Sequence, residues 1–280
     1  MSTLVQQNPA WPVARLCRLF AVPRSSHYYT PAQRQEADLC RSIELVAGQW
    51  TCYGVRRMTH QLRREQLADE PLGHRRVYRL MREMGLCAKA PRPRKKRTTN
   101  SDHSFARYTN RVKGLVINHA DQVWVSDITY IQLGSGFVYL AVIMDVFTRS
   151  IRGWFLSRSL NSGLCEAALR KALSVGRPQI HHSDQGVQYA SDSYTNLLKQ
   201  HGATISMAAV GCPEDNGYAE RLMRTIKEEH VRLTEYTDFA DAKSQIGEFL
   251  EDVYQRKRIH SALGYLTPAE FANQNRQAVK

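Results

Sequence analysis

The sequence predicts an α/β protein: an all-helical N-terminal region, then a mixed five-stranded sheet flanked by helices. Three observations carry that prediction. Residues 35–86 place apolar side chains at helical spacing among many arginines. Residues 122–157 hold three β-rich runs joined by short turns, the pattern of an antiparallel meander. From residue 162 onward helical and strand-like runs alternate. The order βββαβαβ, followed by helices, gives a mixed sheet with helices packed on it.

Residues 1–33 read as a helix-turn-helix-like segment. Val13, Leu16, Cys17 and Phe20 share one helical face. Val22-Pro23 ends that helix, because the residue before a proline avoids the α region. Ser25 or Ser26 then caps a short second helix. Residues 34–87 read as a helical, helix-turn-helix-like domain with helices near 35–47, 55–65 and 75–84. Leu39, Ile43 and Val46, then Val55, Met58 and Leu62, then Val77, Leu80 and Met81 form the three apolar faces. Arg56, Arg57, Arg63, Arg64, Arg75, Arg76, Arg79 and Arg82 fall on the outer faces, which suits phosphate contact. Of these, Arg56, Arg57, Arg76 and Arg79 are the DNA-contact candidates.

Residues 88–113 read as a basic linker. Two prolines and nine Lys/Arg against one acid argue against packed structure. Arg94, Lys95, Lys96 and Arg97 are expected to lie along a DNA backbone. Residues 114–280 hold the sheet and a helical tail. Strands are expected at 122–131, 137–144, 151–157, 179–183 and 203–207, and helices at 162–175, 191–200, 217–233 and 239–256.

Charge points to the partner. The chain has 280 residues and a net charge of +13, which favours a polyanion. Residues 1–113 hold 22 Lys/Arg against 8 Asp/Glu, a net of +14, and the remainder holds 17 against 18. The whole positive excess therefore lies in the N-terminal part, where a merely solvated surface would spread it. The six cysteines, Cys17, Cys40, Cys52, Cys87, Cys165 and Cys212, show no C-x-x-C or zinc-finger spacing and read as free thiols of a reducing compartment. The longest clean apolar run, 137–144, is too short to span a bilayer, and the N-terminus lacks a signal-peptide core. The expectation is a cytoplasmic protein with no membrane partner.

Three acids suggest the chemistry. Asp127 sits inside an apolar strand-like run, where a charge is costly unless paired or metal-bound. Asp184 ends another short run, ahead of Gly186. Glu220 opens a helix behind Asp215 or Asn216 as cap, with 35 residues between it and Asp184. Two or three carboxylates on rigid, converging elements suit hard divalent cations working on a phosphodiester. Each acid also has a plainer reading: an edge-strand charge, a turn residue, a complement to the helix dipole. Their joint placement weighs against those readings. Glu214, Asp215, Glu228 and Glu229 compete for the same role, and spacing alone does not exclude them. Lys227 follows Glu220 by seven residues, about 20° round the helix, with Arg224 between. Such a face can hold metal at one end and DNA phosphate at the other; an ordinary i,i+4 ion-pair face is the alternative.

At these residues the sequence resembles the DDE transposases of bacterial insertion sequence family three, the OrfB type. The matching stretches are 124–130, 145–153, His182-Ser183-Asp184-Gln185-Gly186-Val187-Gln188-Tyr189, Asp215-Asn216-Gly217 with Glu220 and Lys227, and 258–265 with Pro268. Residues 12–29, 53–57 and 76–81 match the helical region ahead of that family's core. The sequence departs at 23–27, where a Ser and a Gly are more usual, and at Ile259, where proline is common. The resemblance implies a ribonuclease H-like, retroviral-integrase-like core. It implies that Asp127, Asp184 and Glu220 bind two Mg2+ or Mn2+ ions per active site. It implies cleavage at transposon ends by water, then transfer of the 3′-hydroxyl without a covalent protein–DNA intermediate. Double-stranded DNA, both transposon ends and target, is the implied partner. So are an OrfA product joined by frameshift fusion and further copies of the chain on DNA, a dimer or higher. The implied place is the bacterial cytoplasm, at the nucleoid when bound. A non-catalytic DNA-binding regulator from a degenerate element and a nuclease of the same fold are the alternatives.

Overall fold

The computed structural model describes residues 11–28, 36–67, 71–86, 105–134, 136–209 and 212–278. They form two compact units, Met1–Ser42 and Ile43–Lys280. In the first, α1 (Val13–Leu19) buries Leu16 and Cys17, and α2 (Arg24–Tyr28) follows the turn at Val22-Pro23. Phe20, placed on the inner face by its spacing, is 46% exposed. The helix ends at Leu19, and Ala21 turns the chain with a φ of 50°.

The helix α3 (Ala37–Gln49) crosses the boundary between the units. The second unit continues with α4 (Val55–Arg64) and α5 (His74–Glu83). Met58 and Leu62 of α4 and Val77, Leu80 and Met81 of α5 are buried, as their periodicity required. Arg63 closes the intervening turn by donating to the Leu72 carbonyl. These helices belong to the same compact unit as the sheet, so the division falls inside α3 rather than at the basic linker. The reason is chemical. Ile259 N–H donates to the Tyr53 hydroxyl at 3.2 Å, Arg64 pairs with Glu270, and the His60 ring stacks on Tyr265.

The described residues form one five-stranded sheet: β1 (Val123–Leu133), β2 (Gly136–Asp145), β3 (Ile151–Ser157), β4 (Ile180–Ser183) and β5 (Thr204–Met207). Its order is β3-β2-β1-β4-β5. The first three strands are an antiparallel meander, and β4 and β5 add in parallel beside β1. Parallel neighbours need crossovers. These are α6 (Ser162–Val175), then α7 (Val187–Ala190) with α8 (Asp192–Gln200). A 3-10 turn, Pro213–Asn216, leads into α9 (Gly217–Ile226), which widens into a π turn at Lys227–Val231. Helix α10 (Phe239–Glu248) widens likewise at Phe249–Lys257, and α11 (Pro268–Ala278) ends the tail. No helix among the described residues is long and apolar enough to cross a membrane.

Strand alternation sorts the core. Val123, Val125 and Ile131 of β1 pack with α9 and α10, through Leu222, Met223, Ile226 and Ile246. Trp124 turns to the other face and packs with Leu164, Leu169 and Leu198 of α6 and α8. Gly153 is required where α6 crosses β3: a Cβ there would lie 2.7 Å from the Ala172 backbone nitrogen. The turn after β2 is fixed by Asp145, fully buried, whose carboxylate accepts from Asp121 N–H and from both the N–H and hydroxyl of Thr148. Cys17, Cys40, Cys52, Cys165 and Cys212 are free thiols; Cys87 lies outside the described residues.

Candidate active site

β1 is the central strand, so Asp127 is not an edge charge. It shares the parity of Val123, Val125 and Ile131, which places it on the α9 side of the sheet. β4 runs parallel to β1 with His182 beside Val125. Carrying that register on by two residues sets Asp184, at the exit of β4, level with Asp127.

Glu220 arrives from a third element, and buried polar bonds fix that element in place. Asn216 is buried and its amide donates to the Ser126 carbonyl at 3.2 Å, one residue from Asp127. His182 is buried, and its Nε2–H donates to the Asp215 carbonyl at 3.0 Å, an atom that can only accept. Its Nδ1 therefore accepts from the Ser206 hydroxyl at 2.8 Å, and Ser206 Oγ accepts from Arg111 N–H at 2.9 Å. Burial holds the His182 imidazole pKa below its ordinary value, in keeping with a neutral ring. One histidine thus ties β4 and β5 to the turn that begins α9. Gln185 adds a bond from its amide to the Ala208 carbonyl.

The acids sense one another. Burial, then the Asp184 charge and that of Glu220, push the Asp127 carboxyl up to about 8, against the Ile128 N–H that it accepts. Asp184 accepts from Gly186 N–H at 3.0 Å, and a Cβ on Gly186 would stand 3.0 Å from the same oxygen. Glu220 is exposed on the first turn of α9. Lys227 is half-buried; burial lowers its ammonium pKa and the Asp127 charge opposes that. Arg224 is exposed on the same helix. Among the described residues no three His, Cys, Asp or Glu side chains close into a metal cage. The acids form an open, mutually repelling group, and a hard cation that keeps waters does not need a closed one.

The competing acids take other places. Asp215 accepts from Ala209 N–H at 3.1 Å, a bond that lowers its carboxyl pKa, helped by Asn110. Glu229 lies between two arginines. Arg258 grips it with two bonds, at 2.5 and 2.7 Å, and Arg57 adds one at 3.2 Å. Burial alone would raise this carboxyl; Arg258 and Arg57 outweigh it and hold the pKa below the usual carboxylate range. Glu214 is exposed, and Glu228 is half-buried on the π turn.

Arg57 was expected on the outer, DNA-facing surface, and the structure corrects that. It binds Glu229 and lies 5.3 Å from the Tyr53 ring, with a 21% exposed side chain. Its partner stands 172 residues away, beyond the reach of local pattern. Arg56 is exposed on α4, Arg76 is half-buried on α5, and Arg79 is exposed and bonded to Glu83. Arg94, Lys95, Lys96 and Arg97 lie outside the described residues. Sequence reasoning missed the positioning roles of His182 and Arg258. Both stand in polar runs whose buried partners come from distant elements, and Asn216 was read only as a cap.

The comparisons with known proteins agree with one another. Residues 117–213 and 201–268 match two integrase core domain families, and residues 34–95 match an HTH-like domain. The chain is 33% identical over 273 residues to the insertion element IS600 uncharacterized 31 kDa protein of Shigella sonnei, covering 94% of this chain and 99% of that protein. It is 33% identical over 285 residues to the transposase for insertion sequence element IS629 of Shigella sonnei, covering 96% and 94%. It is 31% identical over 287 residues to transposase InsF for insertion sequence IS3A of Escherichia coli (strain K12), covering 94% of each.

Proposed function

The chain belongs to the DDE transposases of bacterial insertion sequence family three, polynucleotidyl transferases of DNA transposition, and from that membership we propose that Asp127, Asp184 and Glu220 are its catalytic, metal-binding acids. The observation that carries this reading is the convergence of three elements, with Asp127 on the central strand, Asp184 at the exit of the neighbouring β4 and Glu220 on the helix whose leading turn His182 and Asn216 bond to the sheet; burial first, then the charges of Asp184 and Glu220, raise the Asp127 carboxyl. The donor set fits a hard divalent cation: three carboxylates from three elements, crowded enough that a bound cation relieves their repulsion. Two Mg2+ or Mn2+ ions on these acids would polarise the scissile phosphate and lower the pKa of the attacking water or hydroxyl.

The chain's own residues do the rest. Lys227 and Arg224, on the Glu220 face of α9, hold phosphates of the transposon end beside the acids. Water opens the strand and leaves a 3′-hydroxyl; that hydroxyl then attacks a second phosphodiester and displaces its leaving oxygen, with no bond to the protein. His182 and Asn216 keep Glu220 at the sheet through the turn that they anchor. Arg56, Arg76 and Arg79, with Arg94, Lys95, Lys96 and Arg97, contact DNA backbone; Arg57 leaves that set because Glu229 holds it. Copies of the chain assemble on paired ends, with an OrfA product joined by frameshift, in the bacterial cytoplasm.

The test is Asp184→Asn in a strand-transfer assay with the element's ends and magnesium. Joining is expected to vanish while DNA binding persists. Joining at the wild-type rate would remove the three acids from the chemistry.

A further inference from the structure

A cavity of about 680 Å³ opens on the other side of α9 from Glu220. Tyr218, Arg221 and Thr225 line it, and they stand roughly 100–160° round the helix from Glu220, whereas Arg224 and Lys227 stand within about 40°. One helix therefore presents two separate polar faces. Arg149, from the turn that Asp145 fixes, closes the cavity from the sheet side, its guanidinium 4.5 Å from the Tyr218 ring. Arg258 and His260 also line it.

The cavity is cationic and incompletely neutralised. Arg57 and Arg258 share Glu229. Among the described residues neither Arg149 nor Arg221 pairs with a carboxylate. The acids of the lining, Glu214 and Asp215, stand on the 3-10 turn, and Asp215 is bonded to Ala209. His260 registers the crowding: burial, then Arg258, Arg57, Arg149 and Arg221 in turn, press its pKa down to about 2, so the ring stays neutral. Four guanidiniums line one space, Glu229 is shared by two of them, and an anion entering the space would answer the other two.

We propose that this cavity is a second phosphate site, which takes one unpaired nucleotide of a DNA strand, its phosphate on Arg149 and Arg221 and its base against Tyr218. Guanidinium forks match phosphate oxygens two by two. Tyr218, 43% exposed, offers a stacking face that accepts any base. The volume suits a single small unit and is too small for a duplex. A free nucleoside monophosphate shares this chemistry; DNA is the assigned source because it is the substrate. The inference rests on that substrate class and not on the assignment of the three acids.

The experiment uses the full chain in EDTA, a labelled single-stranded oligonucleotide, and thymidine monophosphate as competitor, with affinity read across a salt series. Arg149→Ala/Arg221→Ala is expected to weaken binding at least ten-fold and to flatten the salt slope by about 0.7, the contribution of one phosphate contact on a single strand. Arg149→Lys/Arg221→Lys is expected to keep the slope and lose part of the affinity, which separates lost charge from lost fold. Equal affinity and slope in wild type and the alanine pair would overturn the site. Displacement of the strand by an equimolar amount of the monophosphate would overturn DNA as its ligand. A wild type that binds no DNA at all would instead strike the substrate class itself.

Discussion

Two acidic groups sit at opposite ends of one helical run, Glu220 at the start of α9 and Glu229 in the π turn that continues it. Around Glu220 stand Asp127 and Asp184, and burial with like charge drives the Asp127 pKa up to about 8. Around Glu229 stand Arg57 and Arg258, and the carboxyl pKa is held low. The residue types are the same and the backbone is nearly continuous. What differs is whether the protein supplies the counter-charge. At Glu229 it does, so that cluster is structural. At Asp127 the like charges of Asp184 and Glu220 stand against the opposite charge of Lys227, and the excess negative charge is what an external cation would answer.

The largest effect should come from breaking the first group. Asp127→Asn keeps an oxygen for the Ile128 N–H, yet strand transfer should fall on the order of 10³-fold or more, read in a joining assay with magnesium. The same variant should be more stable than wild type in EDTA, because a crowded charge is gone. The sign follows from linkage. A folded pKa above the unfolded value gives stability that is full below about 3.9 and lost as pH rises towards 8. The advantage of Asp127→Asn over wild type should therefore grow with pH across that window, by about 1.4 kcal/mol per pH unit at most. A variant no more stable than wild type at pH 8 would show that the repulsion is absent.

Breaking the second group should give the opposite pattern. Arg258→Ala leaves a buried carboxylate with only Arg57, and about 3–5 kcal/mol of stability should be lost, read by denaturant unfolding. A loss under about 1 kcal/mol would mean that water replaces the arginine. Here the linkage sign reverses. The depressed Glu229 pKa gives stability present above about 4.3 and lost as pH falls through its folded value. His181 acts in the same direction: burial first, and then the neighbouring His182, press its pKa to about 3, so its contribution is full above about 6.5 and lost on acidification towards 3. Asp127 pulls the other way between about 3.9 and 8, so the Glu229 assignment is read as a difference: in thermal melts the wild type should lose its advantage over Arg258→Ala as pH falls below about 4.3, and a constant advantage would contradict it.

These two groups also show what the sequence could disclose. The central strand around Asp127, the strand at Ile151–Ser157 and the helix at Ser162–Val175 were legible, because alternation and helical spacing are local. Asp127 stood out as an acid where an acid is costly, and Asp184 and Glu220 joined it by their places at a strand exit and a helix start and by the family resemblance; the fold brings their charges to bear on Asp127. Glu229, just beyond α9, competed for the same role, since nothing near it in the chain announces Arg57 or Arg258. The helices drawn to 233 and 256 instead widen at Lys227–Val231 and Phe249–Lys257. A π turn inserts one residue into an otherwise helical pattern, and five to nine residues are too few to reveal the change of period. The helical region 34–87 read as a separate DNA-binding domain, because its bonds to Ile259 and Glu270 join residues some 200 positions apart.

The smallest expected effect is the most local. Gly186 has no side chain, and a Cβ there would stand 3.0 Å from Asp184 Oδ1 and 3.3 Å from Gln188 Oε1. Its φ is −66°, an ordinary value for any residue, so alanine brings no backbone strain. Gly186→Ala should therefore fold with stability within about 0.5 kcal/mol of wild type. The Asp184 carboxylate must give way by a few tenths of an ångström, and it also risks its bond from the 186 N–H. Misplacement of a reacting group by 1 Å can cost about 10²-fold, so the smaller shift here should reduce strand transfer by about 5- to 10-fold, with DNA affinity unchanged. Full activity in a folded Gly186→Ala would mean that the acids at Asp127 tolerate a displaced Asp184, and that their shared field, rather than the exact seat of one carboxylate, is what the site requires.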